Sequence, residues 1–182
     1  MNRRRVILGC AALVMGTPAA RGDQPSGSTP YAVPHDENQI FFVQRSMNSN
    51  TIVYTARMGA DGHLDPKKPV DVFWRRFNDQ GERQELSFLE RNIAFGVKAQ
   101  RLSGPPAPSF CLQVVSYPQR SAVLRLVNGR PRLEAKVAGE PCVLDHAFLH
   151  LDESGAMPKV TRVDLAGHSL ASGVEVRESF KP

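Results

Sequence analysis

The chain lacks any apolar run long enough to cross a membrane as a helix. Such a span needs roughly 20 residues, and the longest run, Val6 to Gly16, has eleven. We therefore predict no transmembrane segment. Cysteine is also scarce, with three residues in 182 and no C-x-x-C pair. Because redox and zinc motifs depend on such spacings, we predict no cofactor.

The apolar run belongs to a segment with the three parts of a signal peptide. Three arginines, Arg3 to Arg5, precede it, and small residues follow it as far as Gly22. This order of charge, apolar run and small residues is typical of export signals. Cleavage after Ala19 and cleavage after Gly22 both remain open. We predict that residues 1–22 are a signal peptide and that the mature protein is periplasmic or secreted.

Cys10 offers an alternative, because the residues before it resemble a lipoprotein box. Cleavage there leaves only three apolar residues after Arg5, too few to engage the export machinery. The cleavable signal is therefore the favoured interpretation.

Net charge argues against nucleic acid once the signal is removed. The full chain has 23 basic and 18 acidic residues, a net charge of +5. Four of the arginines and none of the acids lie within residues 1–22, which leaves a mature net charge of +1. A nearly neutral chain has no general attraction for a phosphate backbone. We predict no nucleic-acid partner.

Composition divides the rest of the chain into two parts. Residues 23–38 are polar and contain three prolines, which predicts a flexible leader. Residues 39–182 predict one β-rich domain, because short apolar or alternating segments recur between turn signals. The predicted strands are Gln39–Arg45, Thr51–Met58, Val70–Phe77, Phe110–Tyr117, Ser121–Val127, Arg130–Ala138, Cys142–Leu151, Lys159–Leu165 and Val174–Phe180.

This spacing predicts an all-β fold, either an antiparallel sandwich or a partly open barrel of about nine strands with one short helix. The strongest turn signal is Asn128-Gly129, which sets a hairpin register pairing Leu124 with Leu133. The helix signal is a capping box from Ser87 to Glu90. We expect this short helix, which is about two turns long, to be held by packing of its apolar residues, Phe88, Leu89 and Ile93.

Several segments together resemble a family of exported bacterial domains of unknown function. They are Phe42-Val43-Gln44-Arg45-Ser46, Asn50-Thr51-Ile52-Val53-Tyr54, Leu64-Asp65-Pro66, Trp74, Glu85-Leu86-Ser87 and Glu90-Arg91. The resemblance is clear over residues 39–100 and looser beyond. It implies one exported domain and carries no activity, cofactor or site.

Two cysteines remain after removal of the signal. Cys111 and Cys142 are an even pair in a chain predicted to enter an oxidising compartment, which favours a structural disulfide. A catalytic thiol is the weaker reading, because it leaves the second cysteine without a role.

Two further motifs fit ordinary structure better than chemistry. Residues 167–171 nearly match a nucleophile elbow, but no histidine follows Ser169, so we predict a turn. His146, His150 and Asp152 suggest metal ligands. On a strand, however, the two histidines stand roughly 13 Å apart, and His150 with Asp152 would need a third ligand from elsewhere. We therefore predict no metal site.

The basic and aromatic residues near the predicted strand ends form the best candidate for ligand binding. They are Arg45, Trp74, Arg75, Arg76 and Arg91. Arginine forks and aromatic faces recognise carboxylates, phosphates and sugar rings. If the strand continues, alternation puts Arg76 on the face of Trp74 and Arg75 on the opposite face. If it ends at Trp74, both arginines enter a loop and can converge with Arg45. The alternative is structural: Arg75 and Arg76 pair with Glu85 and Glu90 while Trp74 is core.

Three functions remain open from the sequence. The first is a non-catalytic binding module for an anionic or glycan-like envelope ligand. The second is a hydrolase with a site assembled from scattered residues. The third is a β-barrel carrier of an apolar ligand, which requires an empty apolar interior.

Overall fold

The computed structural model describes residues 30–104, 108–155 and 158–182. The predicted signal peptide and the first part of the predicted leader lie outside these residues. The described strands are β1 (Gln39–Arg45), β2 (Asn48–Ala56), β3 (Val70–Arg76), β4 (Glu82–Glu85), β5 (Val97–Leu102), β6 (Ser109–Val114), β7 (Ser121–Val127), β8 (Arg130–Val137), β9 (Glu140–Asp152), β10 (Lys159–Ser169) and β11 (Glu175–Phe180). The all-β prediction is confirmed.

One long strand, β9, organises the sheet. β10 pairs with one edge along nearly its whole length. On the other edge, β8 pairs with the first part of β9, up to Val143, and β1 pairs in parallel with His146–Leu149. Two four-stranded arms therefore leave the same edge: the first arm, β1 to β4, and the second arm, β8 back to β5. The result is a curled, mixed half-barrel, the partly open form of the predicted fold.

The Asn128-Gly129 turn signal predicts the β7–β8 hairpin correctly. Asn128 and Gly129 both have positive φ, 53° and 75°, which the two-residue turn requires. The pairing of Leu124 with Leu133 follows in the predicted register. The two strands missed by prediction, β4 and β5, consist mostly of exposed polar residues. β4 contains no apolar residue, and β5 alternates only at Val97 and Ala99, which is too short a pattern to predict a strand.

The short helix, Glu90–Ala94, begins as predicted but packs differently. Ser87 N–H donates to Glu90 Oε2 at 2.8 Å, and Glu90 N–H donates to Ser87 Oγ at 3.2 Å, which completes the capping box. The expected packing is wrong, because Phe88, Leu89 and Ile93 are 84%, 61% and 62% exposed. The aromatic residue that packs against the core here is instead Phe95, which follows the helix. No helix within the described ranges is long and apolar enough to cross a membrane.

The expected Cys111–Cys142 disulfide is absent, and both residues are free thiols. Cys111 lies on β6 and Cys142 on β9, with β7 and β8 between them. Three strand spacings amount to roughly 14 Å, whereas a disulfide needs Cα atoms within about 7 Å. The pair also faces opposite sides of the sheet: Cys142 joins the core, while Cys111 is only half-buried.

The end of the predicted leader lies against the outer face of the first arm, the face turned away from the second arm. Gln44 Nε2 donates to Ala32 O at 3.0 Å, and Pro34 is fully buried. Tyr31 stacks on Phe148 with 6.3 Å between ring centroids. These contacts cover strands that would otherwise expose apolar residues to water.

Candidate ligand cavity between the two arms

The inner faces of the two arms enclose an apolar cavity of about 220 Å³. Its walls come from both arms and from β9, β10 and β11. Representative lining residues are Val43, Tyr54, Leu112, Leu133, Leu149 and Leu165. Since aliphatic and aromatic side chains dominate this wall, the cavity offers water few hydrogen-bonding partners.

Strand alternation explains why one face is apolar. On β6, the inward residues Leu112 and Val114 line the cavity. They alternate with Cys111 and Gln113, which point outward. Successive side chains of a strand take opposite faces. The sequence therefore contained the signal for an apolar inner face, but it could not show that the facing strands leave space between them.

Tyr54 ties the first arm to the start of the second. Its ring lines the cavity, and its hydroxyl donates to Phe95 O at 3.0 Å. Burial raises the pKa of Tyr54 well above its usual range, so the group remains a neutral donor. The bond satisfies a polar atom that would otherwise be costly in an apolar wall.

The rim of the cavity is formed by the β6–β7 connection and the end of the chain. Ser116 and Pro182 line the cavity and are exposed. Tyr117 stacks on Phe180 with ring centroids 5.5 Å apart. Exposed lining residues on this side mark the opening of the cavity to solvent.

At this rim, the positive charge of Arg120 is neutralised by Glu178, a residue of β11. Its guanidinium donates to both carboxylate oxygens of Glu178, at 2.7 and 3.0 Å. These bonds lower the pKa of Glu178. This arginine is a clamp between the second arm and β11.

Arg45, Trp74 and Arg76 form a cluster, the arginine–tryptophan cluster, on the inner face of the first arm. The two guanidinium carbons lie 4.5 and 4.9 Å from the Trp74 ring centroid. Trp74 itself is 2% exposed, packs edge-on against Phe95, and donates from Nε1 to Glu90 Oε1 at 3.1 Å. The indole is therefore fixed in position and supports a cation on its ring.

The structure separates the other two predicted ligand-binding arginines from this cluster. Because β3 continues to Arg76, alternation turns Arg75 to the outer face, where it forms an ion pair with Asp36 and donates to Gly81 O. Arg91 pairs with Glu85 at 3.2 Å. Three of the five predicted residues thus converge, and Arg75 and Arg91 do not.

The two alternative chemical motifs are structural. Ser169 is buried at the end of β10, and its hydroxyl accepts from the amides of Ala171 and Ser172, both at 3.2 Å. It closes a turn, as predicted. His150 lies on β9 and contacts Asp164 at 2.6 Å. Across the described ranges, no three His, Cys, Asp or Glu side chains converge as a metal site.

Sequence reasoning missed the cavity-lining residues around the rim, chiefly Phe95, Tyr117 and Phe180. Each is a lone aromatic next to a turn or at a strand end. Only the curl of the sheet brings them together. Their type alone gave no signal of a shared site.

The fold and cavity define a curled β-sheet protein with an internal apolar site flanked by an arginine–tryptophan cluster. The profile of the family described as Domain of unknown function (DUF4833) matches residues 41–179. Since this is more than half of the chain, the protein belongs to that family, and the predicted membership in a domain family of unknown function is confirmed. No curated protein and no solved structure matches it.

Proposed function

We propose that the protein binds an apolar small molecule in the cavity between its arms. The observation that carries this proposal is the cavity of about 220 Å³ with a wall of aliphatic and aromatic side chains. An apolar cavity of about 150 Å³ already stays dry and takes up apolar guests. Filling the space restores the dispersion contacts that an empty cavity forgoes.

The apolar wall favours this carrier function over a glycan-binding module and over a hydrolase. A glycan needs many hydrogen-bonding groups around its hydroxyls, and this wall offers few. A hydrolase needs a nucleophile and a base in contact. Ser169 is engaged in a turn, and His150 is held by Asp164, away from the cavity.

A small molecule is a better occupant than the preceding segment of the chain. The described chain starts at Pro30, which lies beside Phe148 and His150 on the outer face of β9. Tyr31 stacks on that same face. The cavity opens on the inner face.

We further propose that binding takes place outside the cytoplasm. The support is the order of arginines, apolar run and small residues within residues 1–22. N-terminal sequencing of the protein recovered from its native envelope should start between Ala20 and Asp23. Retention of Met1, or a lipid-modified Cys10, would refute export by a cleaved signal.

The binding proposal is tested with N-phenylnaphthylamine, a neutral probe that fluoresces in apolar surroundings. We expect saturable fluorescence with the unmodified protein. Ala122→Phe places a ring into the cavity and should abolish the signal, because Ala122 lines it. The matched control is Val123→Phe, since Val123 is the next residue on β7 and faces outward beside Cys111. Equal signals from both variants would contradict the proposal.

A further inference from the structure

We propose that Arg45 and Arg76 hold the anionic head of a single-chain amphiphile whose alkyl chain occupies the cavity. The ligand class is an alkyl chain ending in a carboxylate or a phosphate. This inference rests on the proposed apolar binding function and adds the polar end of the ligand.

The cluster and the cavity lie on one continuous surface. Arg45 pairs with Leu149 across the β1–β9 ladder, and Leu149 pairs with Val163. Val163 in turn pairs with Phe180. Leu149, Val163 and Phe180 all line the cavity. Since directly paired residues share a face of the sheet, Arg45 completes a row that is apolar at its other three positions.

The position along β1 gives the same result. Val43 lines the cavity, and Arg45 is two residues further on, roughly 7 Å along the strand. Trp74 links the arginine–tryptophan cluster to the cavity, because its ring contacts Phe95 in the cavity wall. A chain lying in the cavity thus has a cationic group within reach of one end.

Glu90 and Glu153 interact electrostatically with Arg45, and Glu90 also with Arg76, but no ion pair to either arginine is formed within the described residues. Neither Arg45 nor Arg76 has a carboxylate within 4 Å among the ion pairs of the described chain, unlike Arg75, Arg91 and Arg120. The Nε of Arg45 is buried without a hydrogen-bond partner. Buried donors of this kind are rare in folded proteins and are normally satisfied by water, an ion or a ligand.

The neighbouring groups leave a place for an acceptor. Arg45 donates only weakly to Asn48 Oδ1, at 3.4 Å, and Arg76 donates to the neutral Gln84. The nearby carboxylate of Glu90 is occupied by Ser87 N–H and the indole of Trp74. Burial, followed by the positive charge of Arg76, lowers the pKa of Arg45.

An anion between the two guanidiniums removes both costs. It supplies acceptors to the unsatisfied Nε and offsets the repulsion between two like charges over one ring. Arginine forks suit carboxylate and phosphate oxygens because two N–H groups can donate in parallel. A neutral hydroxyl head can accept a hydrogen bond but leaves the repulsion between the arginines in place, and a cationic head adds to that repulsion.

The test compares four ligands with the same chain: decanoate, decyl phosphate, decanol and decylamine. Each displaces N-phenylnaphthylamine from the unmodified protein, and the inhibition constants are compared. We expect decanoate, decyl phosphate or both to bind about tenfold or more tightly than decanol, because hydrogen bonds to charged groups contribute more than neutral ones. Decylamine should bind most weakly.

Arg45→Gln and Arg76→Gln should each reduce the anion preference severalfold and leave the binding of decanol unchanged. Decanol therefore reports that the variant is folded with its cavity intact. The matched control is Arg83→Gln, since Arg83 stacks on Phe73 on the outer face of the same arm. It should keep the full preference.

The outcomes separate the two proposals. If decanol and the anions bind the unmodified protein equally, or if both cluster variants keep the preference, the head-group site is refuted while the apolar function stands. If the probe binds but no decyl compound displaces it, the head-group site is refuted while the apolar function stands; if the probe itself does not bind, both proposals fail. A preference for only one anion supports the site and identifies its head group.

Discussion

The two arms of the sheet are built from strands of similar length, but the first arm is buried on both faces and the second arm on one. In the first arm, Ile52 and Trp74 are buried on the inner face while Val53 and Phe73 are buried on the outer face. In the second arm, burial is confined to the inner face, as at Leu124, while β5 is largely exposed. The first arm is thus a scaffold with two covered faces, and the second is a wall.

The difference follows from what covers each outer face. The segment before β1 lies on the first arm and buries Pro34 there, and Asp36 anchors it to Arg75. The outer face of the second arm meets solvent and carries charged pairs such as Arg125–Glu134. A wall with one solvated face has fewer buried contacts to break, so we expect the second arm to open more easily than the first.

The largest expected effect contrasts a core residue of each arm. Ile52→Ala should lower the free energy of unfolding by about 4 kcal/mol, whereas Leu112→Ala should lower it by about 2 kcal/mol. Ile52 is completely buried and packed, while Leu112 already borders the cavity and loses fewer contacts. Urea unfolding of both variants measures this. A larger loss for Leu112→Ala would show that the second arm is the main scaffold.

The next prediction compares two adjacent arginines on opposite faces of the first arm. Arg75→Gln should cost about 1–3 kcal/mol, because it leaves the Asp36 carboxylate, whose side chain is only 9% exposed, without its cation. Arg76→Gln should cost about 0.5 kcal/mol or less. Thermal and urea unfolding give both values.

A second substitution checks that the Asp36 charge is the cause. Asp36→Asn in the Arg75→Gln background should recover part of the lost stability. If it destabilises further, the segment before β1 is held by other contacts and the charge pair is incidental.

Acid should weaken the attachment of the second arm. Bonds from Arg120 lower the pKa of Glu178, so the folded state binds this proton less readily than the unfolded chain. The pair therefore stabilises the fold above the ordinary glutamate range, and this contribution is lost as pH falls through that range and below. Glu178→Gln should cost about 1–2 kcal/mol at neutral pH and nearly nothing at about pH 2.

The matched control for Glu178 is Glu175→Gln on the same strand. Glu175 pairs with Arg177 on the surface, so its loss should cost about 0.5 kcal/mol or less at any pH. Equal costs for the two variants at neutral pH would remove the special role of the Arg120 clamp.

The smallest expected effect concerns the cysteines. Reductant should leave stability unchanged, because both thiols are free. In the native protein a thiol reagent should label Cys111, which is partly exposed, and spare Cys142, which is fully buried, until the protein unfolds. Mass spectrometry locates the label. Absence of any reactive thiol in denaturant without reductant would show that a disulfide forms after all.

Much of the fold was predictable because it depends on neighbouring residues. The Asn128-Gly129 turn requires positive φ, so the register from Leu124 to Leu133 followed directly. The strand β3 and its alternation placed Arg76 beside Trp74. The parallel β1–β9 pair was not predictable, because it joins segments about one hundred residues apart and no local signal encodes such a partner.

The candidate site was predictable only in part for the same reason. Arg45, Trp74 and Arg76 were chosen by residue type and strand position, and the structure brings them together. The disulfide prediction was wrong because it relied on cysteine count and compartment, while strand order decides the distance. Phe88 was expected in the core because it is apolar, yet the core place beside Trp74 is taken by Phe95.

The sequence by itself determined nine of the eleven described strands, the main hairpin, the capping box and the inward apolar face of each arm, because these depend on alternation, turn chemistry and short-range hydrogen bonds. Only the tertiary structure decided that β1 and β8 share one edge of β9, that the arms curl towards each other, and that a cavity remains between them. The physical reason is that local patterns specify which face is apolar, whereas the packing of distant strands specifies whether that face meets another side chain or empty space.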